Sequence, residues 1–396
     1  MKLEKNNIKK QKVFVGMSGG VDSSVSAALL KQAKPNNFKK LFGRPTPKGF
    51  RGYDVTGVFI QTWSPDWLPC TWREERRDAM RVAAKLKIPL ISLDLEKEYK
   101  EQVVDYMIAE YRAGRVPNPD VMCNKVIKFG GFFDYAMKQG ADFVATGHYA
   151  NVAIRVERLG LSSTLNAKRY TLNASADAQK DQTYFLWTLT QRELSRTLFP
   201  IGHLQKSKVR SIARRFHLLN AEKKDSQGLC FMGKIDVKEF LKHYIKEKPG
   251  NVLNEQGEII GSHEGATFYT LGERHGFRII NKSTNDLPYY IVSKDIKKNI
   301  LVASNEKDGE EILKKEIQIN KVNWNQGIEP DLAKKYQARI RYRQGLQECR
   351  LYLGTKFPSK NNIYRIVFNE PQIAPASGQS VVIYDKDICL GGGVIV

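Results

Sequence analysis

The sequence predicts an α/β protein: a parallel, doubly wound sheet first, then a small central part, then an all-β C-terminal part. Three observations carry this. Val13-Phe14-Val15 runs into a glycine turn and then into residues at helical spacing, strands and helices alternate as far as Phe216, and from Lys248-Pro249-Gly250 the texture changes to short strands and glycine turns. Strands alternating with full helices need crossover connections, which give parallel sheets with ligands at the carboxyl ends of the strands.

Residues 1–11 are polar and basic, the composition of a frayed end. The first strand ends in Gly16-Met17-Ser18-Gly19-Gly20-Val21-Asp22-Ser23-Ser24, and Val21, Val25, Ala28 and Leu29 continue as a helix. A turn of this shape is an anion site. Gly19 and Gly20 let the backbone approach closely, the helix N-terminus favours negative charge, and Ser18, Ser23 and Ser24 add hydroxyl donors. Asp22 adds a carboxylate suited to magnesium beside a polyphosphate. The loop lacks both the Gly-Lys-Ser/Thr end of the P-loop and the Gly-x-Gly-x-x-Gly of dinucleotide folds. Ser-Gly-Gly-x-Asp-Ser-Ser instead resembles the PP-loop of the ATP pyrophosphatase superfamily.

A Pro/Gly/Lys-rich loop, Lys34 to Gly52, precedes the strand Asp54–Ile60 and reads as a solvated insertion or an RNA contact. The pattern then gives a helix over Glu74–Leu86, a strand over Ile88–Leu93, helices over Glu98–Arg112 and Lys128–Gln139, and a strand over Asp142–Thr146. Thr146-Gly147-His148 follows that strand end, where Gly147 lets a nucleotide sit against the backbone and His148 is either structural or within reach of the reacting centre. Helices are predicted over Asp181–Thr190 and Gln205–Phe216. Near the C-terminus Arg339, Arg341 and Arg343 alternate with Ala338, Ile340 and Tyr342, which predicts one arginine face on a strand, either a contact for a phosphate backbone or a solvated outer face.

The chain has 396 residues, 41% of them hydrophobic, enough for two or three domains with buried cores. Lys and Arg number 64 against 42 Asp and Glu, a formal charge of +22. ATP alone does not call for that excess; a nucleic-acid partner does, the alternative being a generally basic proteome. No apolar run approaches a membrane span and the start has no signal-peptide core, so the expectation is a cytoplasmic protein with no membrane partner. Five cysteines form no dense framework, which leaves individual thiols as candidates for chemistry.

Cys123 lies in Asn118-Pro119-Asp120-Val121-Met122-Cys123-Asn124-Lys125. The prolines at 117 and 119 predict that the helix begins only after it, so that a helix N-terminus, Lys125 and Lys128 favour its thiolate. Asp120 stands three residues away as a proton donor or acceptor. Cys230 lies in Lys224-Asp225-Ser226-Gln227-Gly228-Leu229-Cys230-Phe231, again with basic neighbours. Cys349 and Cys389 fall in apolar strands and read as small buried hydrophobes. Cys70 follows Pro69 in a Trp-rich loop without a clear role. An ATP site with two activated thiols has three readings on residue chemistry: a redox-regulated ATPase, a metal site, or a sulfur transferase. Zinc is disfavoured because neither cysteine belongs to a Cys-x-x-Cys or Cys-x-x-His cluster.

With both cysteine stretches in view, the chain resembles the bacterial tRNA-specific 2-thiouridylases from about Val13 to Gly393. The likeness rests on Gly16 to Ser24, Asn118 to Lys125, Ala145-Thr146-Gly147-His148-Tyr149-Ala150, Lys180 to Leu186, Lys224 to Phe231, Arg341-Tyr342-Arg343-Gln344 and Ser377-Gly378-Gln379. It implies a PP-loop, adenine nucleotide alpha hydrolase-like catalytic domain over residues 1–220, a central tRNA-contacting domain over 221–305 and a C-terminal β-barrel over 306–396. It implies ATP bound by Gly16, Met17, Ser18, Gly19, Gly20, Val21, Asp22 and Ser23, with Ile60 and Gly147 completing the pocket and magnesium arriving with ATP. Cys123 would be the nucleophile, Cys230 the persulfide carrier, Asp120 the acid/base, and Cys123 and Cys230 would form a transient disulfide. Asn118, Pro119 and Asp120 would meet the target uridine; His148, Lys180, Asp181, Gln182, Arg341, Tyr342 and Gln379 would contact tRNA or position the site. The implied partners of a monomer are the tRNA anticodon loop and a persulfide donor, a cysteine desulfurase or sulfur-relay protein. Departures from the family pattern are Ile60 for Met, Val126 for a polar residue, Glu273 for Gln, and the longer 34–52 loop. Another PP-loop ligase or amidotransferase would need neither cysteine, and a basic RNA-binding module would not release pyrophosphate.

Overall fold

The computed structural model describes residues 10–42, 45–68, 72–158, 166–225, 230–231, 233, 235–280, 287–305, 312–354 and 362–396. Its N-terminal part is built on a five-stranded parallel sheet in the order Leu90–Asp94, Tyr53–Gln61, Gln11–Gly16, Phe143–Ala145, Thr197–Leu198. Alternation along each strand sends residues to opposite faces. Val13, Val15, Val55 and Phe59 pack beneath the helices Val21–Gln32, Trp72–Leu86 and Lys206–Arg215, while Phe14, Val58, Ile60 and Val144 pack against the helical runs 96–112 and 119–138. The chain order reverses between Gln11–Gly16 and Phe143–Ala145, so the turns after these two strands open side by side. Ligands of doubly wound sheets bind at that switch point.

A second five-stranded sheet carries Gly250–Leu253, Ile259–His263, Arg278–Ile279, Tyr290–Asp295 and Ile300–Ser304, and its apolar face shares one core with the 96–112 helix. The C-terminal part is a closed six-stranded barrel, sealed where Ile319 pairs with Ile395. Its sheet is extended by a hairpin from the N-terminal part, Asn151–Arg158 with Asn166–Asn173, through pairing of Ile388 with Asn173. Among the described residues no helix is long and apolar enough to cross a membrane.

Four local expectations are corrected. Residues 181–190 form only a 3-10 turn at Thr183–Phe185. Tyr184, Leu186, Trp187 and Leu189 are all buried, and the side-chain amides of Asn323 and Asn325 donate to the carbonyls of Trp187 and Leu189, replacing helical partners. The arginine face does not exist: the strand Lys335–Arg339 ends at Arg339, which is 7% exposed and paired with Asp181, and Arg343 turns away with φ 64°. The helix expected from Lys128 begins at Pro119, where proline's missing N–H is an unpaired position anyway, with Asn118 Oδ1 capping Val121 N. The 34–52 loop is not merely solvated, since Phe38 is fully buried in a ring cluster with Phe42 and Phe50. Cys70 lies outside the described residues.

Candidate active site

The loop after the first strand is shaped by backbone contacts. Met17 N donates to Val58 O at 2.8 Å, and Gly19, at φ +72°, presses so closely on Glu75 O that a Cβ would stand 2.4 Å away. Gly20 caps the helix Val21–Gln32 without a side-chain bond, leaving its first-turn N–H groups for a ligand. Ser23 Oγ donates to Gly20 O and accepts from Ser18 N. Ser24 is fully buried and structural: its hydroxyl donates to Gly20 O and accepts from Asn220 Nδ2, which also donates to Gly19 O. Asn220 is a loop clamp that no sequence signal marked.

One cavity of about 610 Å³ joins this loop to the cysteines. Gly16, Met17, Ser18, Gly20, Val21, Asp22, Ser23, Ile60 and Gly147 line its nucleotide end; Gly19 does not, being turned to the Trp72–Leu86 helix. Asp120, Asn124, Lys128, His148 and Cys230 line the other end, with Lys180, Gln182 and Tyr342 at the rim. Asn118, Pro119, Cys123, Asp181, Arg341 and Gln379 are not on the wall. Asn118 and Gln379 support the turn before Asp120, since Gln379 Nε2 donates to Pro117 O at 3.2 Å and Asn118 is the cap. Arg341 donates to Ala374 O. Asp181 is 3% exposed and bonded to Arg339, Ser175 N and Thr183, so it does not reach an outside ligand and holds the barrel strand Lys335–Arg339 to residues 175–183 instead.

At the nucleotide end, Asp22 accepts from Lys206 Nζ at 2.8 and 2.9 Å and from Tyr149 OH at 2.9 Å. Lys206 also meets Asp225 at 2.8 Å, and Lys180 and Arg210 converge on the same carboxylate. Partial burial pushes Asp225 up, but its bonds to Lys180 and Lys206 win and hold it at about 2. Sequence patterns placed Lys206 and Arg210 in a helix but gave no sign that they face the loop.

At the other end, Cys123 Sγ donates to Cys230 Sγ at 3.3 Å, although the two lie 107 positions apart. Cys230 N donates to Asp120 Oδ1 at 3.0 Å, and Tyr99 OH donates to Cys230 O at 2.6 Å, pinning the backbone at Cys230 on both sides. Phe231 beside it sits at φ 66°, a conformation that costs a bulky residue energy. The expected activation of Cys123 is reversed. Burial, then its hydrogen bond to Cys230, pushes the Cys123 thiol well above the ordinary range. The same bond, with Lys128, lowers the Cys230 thiol despite burial. Lys125 is exposed, and Cys123 is one full turn inside its helix, so neither favours a Cys123 thiolate. Burial raises Asp120 above the usual carboxylate range against its bond from Cys230 N and the charge of Lys128. Burial, then Lys128, drives His148 well below its ordinary value, so its ring is neutral. Asn124 is 3% exposed; its Nδ2 donates to Phe185 O, and its Oδ1 has no partner among the described residues.

Comparison with known proteins agrees along the whole chain. A family model described as the tRNA methyl transferase HUP domain matches residues 11–43 and 49–234, one described as the tRNA methyl transferase PRC-barrel domain matches 238–305, and one described as the aminomethyltransferase beta-barrel domain matches 314–395. A protein of Streptococcus uberis named tRNA-specific 2-thiouridylase MnmA is 42% identical over 98% of this chain and 95% of its own. Proteins of the same name from Alkaliphilus oremlandii, 42% identical over 98% of this chain and 97% of their own, and Thiobacillus denitrificans, 41% identical over 97% and 99%, match equally fully. With a HUP-domain match over more than half its length and relatives of this identity end to end, the chain belongs to the family of tRNA-specific 2-thiouridylases.

Proposed function

We propose that the protein uses ATP to replace the C2 oxygen of the tRNA wobble uridine, position 34, with sulfur carried as a persulfide on Cys230. The observation that carries the reading is a pair of thiols 3.3 Å apart at the far end of the cavity that begins at the nucleotide loop. The first-turn N–H groups after Gly20, with Ser18 and Ser23, bind the phosphates of ATP. Asp22 lines the same wall and offers the hard oxygen that magnesium prefers. Lys206 and Tyr149 engage Asp22, so a magnesium ion arriving with the nucleotide would have to displace Lys206 to take Asp22 as its protein ligand. It would neutralise phosphate charge there.

Oxygen at C2 is a poor leaving group. Attack of that oxygen on the α-phosphorus of ATP expels pyrophosphate and turns it into AMP, a good one. The terminal sulfur of Cys230–S–S⁻ then attacks C2 and AMP departs. Loss of the Cys123 proton gives a thiolate that attacks Cys230 Sγ, breaks the S–S bond to the transferred sulfur, and leaves 2-thiouridine and a Cys123–Cys230 disulfide. Release of hydrosulfide by Cys123 before attack on C2 ends at the same disulfide, which an external thiol reduces. Asp120, with its raised affinity for a proton, exchanges protons at this centre. Asn124 lines the cavity and its buried Oδ1 has no partner among the described residues, so a small rotation of its side chain would offer an acceptor to the N3–H of uracil, which cytosine lacks. The base has to leave its stack, which is cheapest in a loop, and the charge of +22 suits the phosphates of the tRNA.

The test is thiolation of a tRNA transcript with ATP, magnesium and a sulfur source, read by retardation on a mercury-containing gel. Wild type is expected to retard the tRNA and Cys123→Ser to fail; Cys230→Ser is expected to fail with a persulfide donor. Pyrophosphate release without a retarded band, with some other acceptor, would replace the thiouridylase reading with another adenylating activity.

A further inference from the structure

The segment Cys123–Gly131 winds as a π-helix, in which hydrogen bonds span five residues and side chains five apart stack on one face. In an α-helix Lys128 would be turned about 140° from Cys123. The wide turn therefore brings a lysine to the thiol face. There its Nζ lines the cavity, lies 3.3 Å from His148 Nε2 and stands 5.7 Å from the centre of the Phe231 ring, next to Cys230. An ammonium only donates, so His148 Nε2 accepts, and the ring proton sits on Nδ1, 2.8 Å from Thr146 Oγ1. Lys128 is half-buried, and among the described residues no carboxylate lies within ion-pair distance of it, whereas a charge withdrawn from water needs a partner. The anionic groups at hand are the sulfur of Cys230 and, further along the same wall, Asp120.

We propose that Lys128 is the counter-ion of the Cys230 sulfur, holding it as thiolate for loading and holding the terminal sulfur of its persulfide as the anion that attacks. The inference deepens the sulfur-transfer reading and rests on it. Lys128 would then act on the reacting sulfur, with which it shares a cavity wall, and His148 is a positioning residue that acts through it by offering a neutral acceptor. The direction of the thiol shifts agrees: the two sulfurs and Asp120 raise Lys128 against the pull of burial, and Lys128 lowers Cys230. Burial first, and then the charge of this lysine, keeps His148 neutral.

The experiment is the rate of iodoacetamide alkylation at Cys230 against pH, resolved by peptide mass spectrometry, in the full-length protein without tRNA or ATP. Lys128→Met is expected to move the midpoint up by about one pH unit or more, a roughly tenfold slower reaction at neutral pH. Lys128→Arg is expected to recover most of the shift, and His148→Asn to move it part of the way in the same direction. Melting curves report folding; if Lys128→Met does not fold, the His148→Asn profile decides. An unchanged Cys230 profile in folded Lys128→Met, or in His148→Asn where that variant decides, overturns the proposal. Because the readout needs no tRNA, a normal alkylation shift with no thiolation would sink the sulfur-transfer reading and leave the counter-ion standing.

Discussion

Gly147→Ala perturbs the site at a point fixed by distance. A methyl group at 147 would lie 2.6 Å from Ser23 N and 2.8 Å from Asp22 C. Both are backbone atoms of the first turn of Val21–Gln32, so no rotamer change relieves them. Restoring an ordinary 3.4 Å contact requires the strand end and the helix to separate by about 0.8 Å. The helix has little room to yield, because Val21 and Val25 are buried on its inner face and Asn220 ties Ser24 and Gly19 from behind. Overpacking of this kind costs about 1–3 kcal/mol, and displacing reactant-positioning groups by ~1 Å costs on the order of 100-fold in rate. The expected result is a lower melting temperature and a kcat/KM for ATP, measured as tRNA-dependent pyrophosphate release, reduced about 100-fold. Gly345→Ala, whose Cβ would meet nothing nearer than 3.9 Å, serves as the neutral comparison. A Gly147→Ala protein with unaltered kcat/KM for ATP would refute the claim that this strand end and this helix N-terminus jointly form the nucleotide seat.

Four other outcomes are expected. Asp181→Asn removes one partner of a buried ion pair and should cost about 3–5 kcal/mol in urea unfolding, with Asp181→Leu/Arg339→Met recovering part of it; normal stability with lost tRNA binding would instead return Asp181 to the ligand surface. Mild oxidation should join Cys123 to Cys230 and spare Cys349 and Cys389, whose thiols burial pushes up, as read by mass spectrometry of unreduced peptides; a mixed pattern would contradict the 3.3 Å pairing. Asn124→Leu should lower kcat/KM for tRNA about tenfold at an unchanged KM for ATP, the loss of one hydrogen bond, and an unaffected rate would remove Asn124 from base recognition. Asp225 is depressed in the folded state, so its contribution to stability is complete above its ordinary value of 3.8 and fades as pH falls to about 2; Asp225→Asn should flatten that part of the acid-unfolding curve, and an identical curve would show that the lysine cluster adds nothing.

The sequence by itself determined the nucleotide loop and most of the parallel sheet. Strand, glycine turn and helix follow from local spacing, and the glycines at 19 and 147 stand where the backbone is approached closely. Cys123, Cys230 and Asp120 were legible as residue types in unusual surroundings. Their electrostatics were not, because whether a thiol ionises depends on burial and on side chains brought from elsewhere: Lys128 by a π turn, His148 by a strand end, and each cysteine by the other across 107 positions. The failed expectations share that cause. The alternation at 338–343 and the helical spacing at 181–190 are sound local patterns, yet the Asp181–Arg339 pair and the amides of Asn323 and Asn325 took over the charge and the carbonyls that those patterns left open. Local spacing fixes which backbone a segment can adopt; the tertiary structure decides which polar groups are left to be satisfied, and hence which side chains remain free to do chemistry.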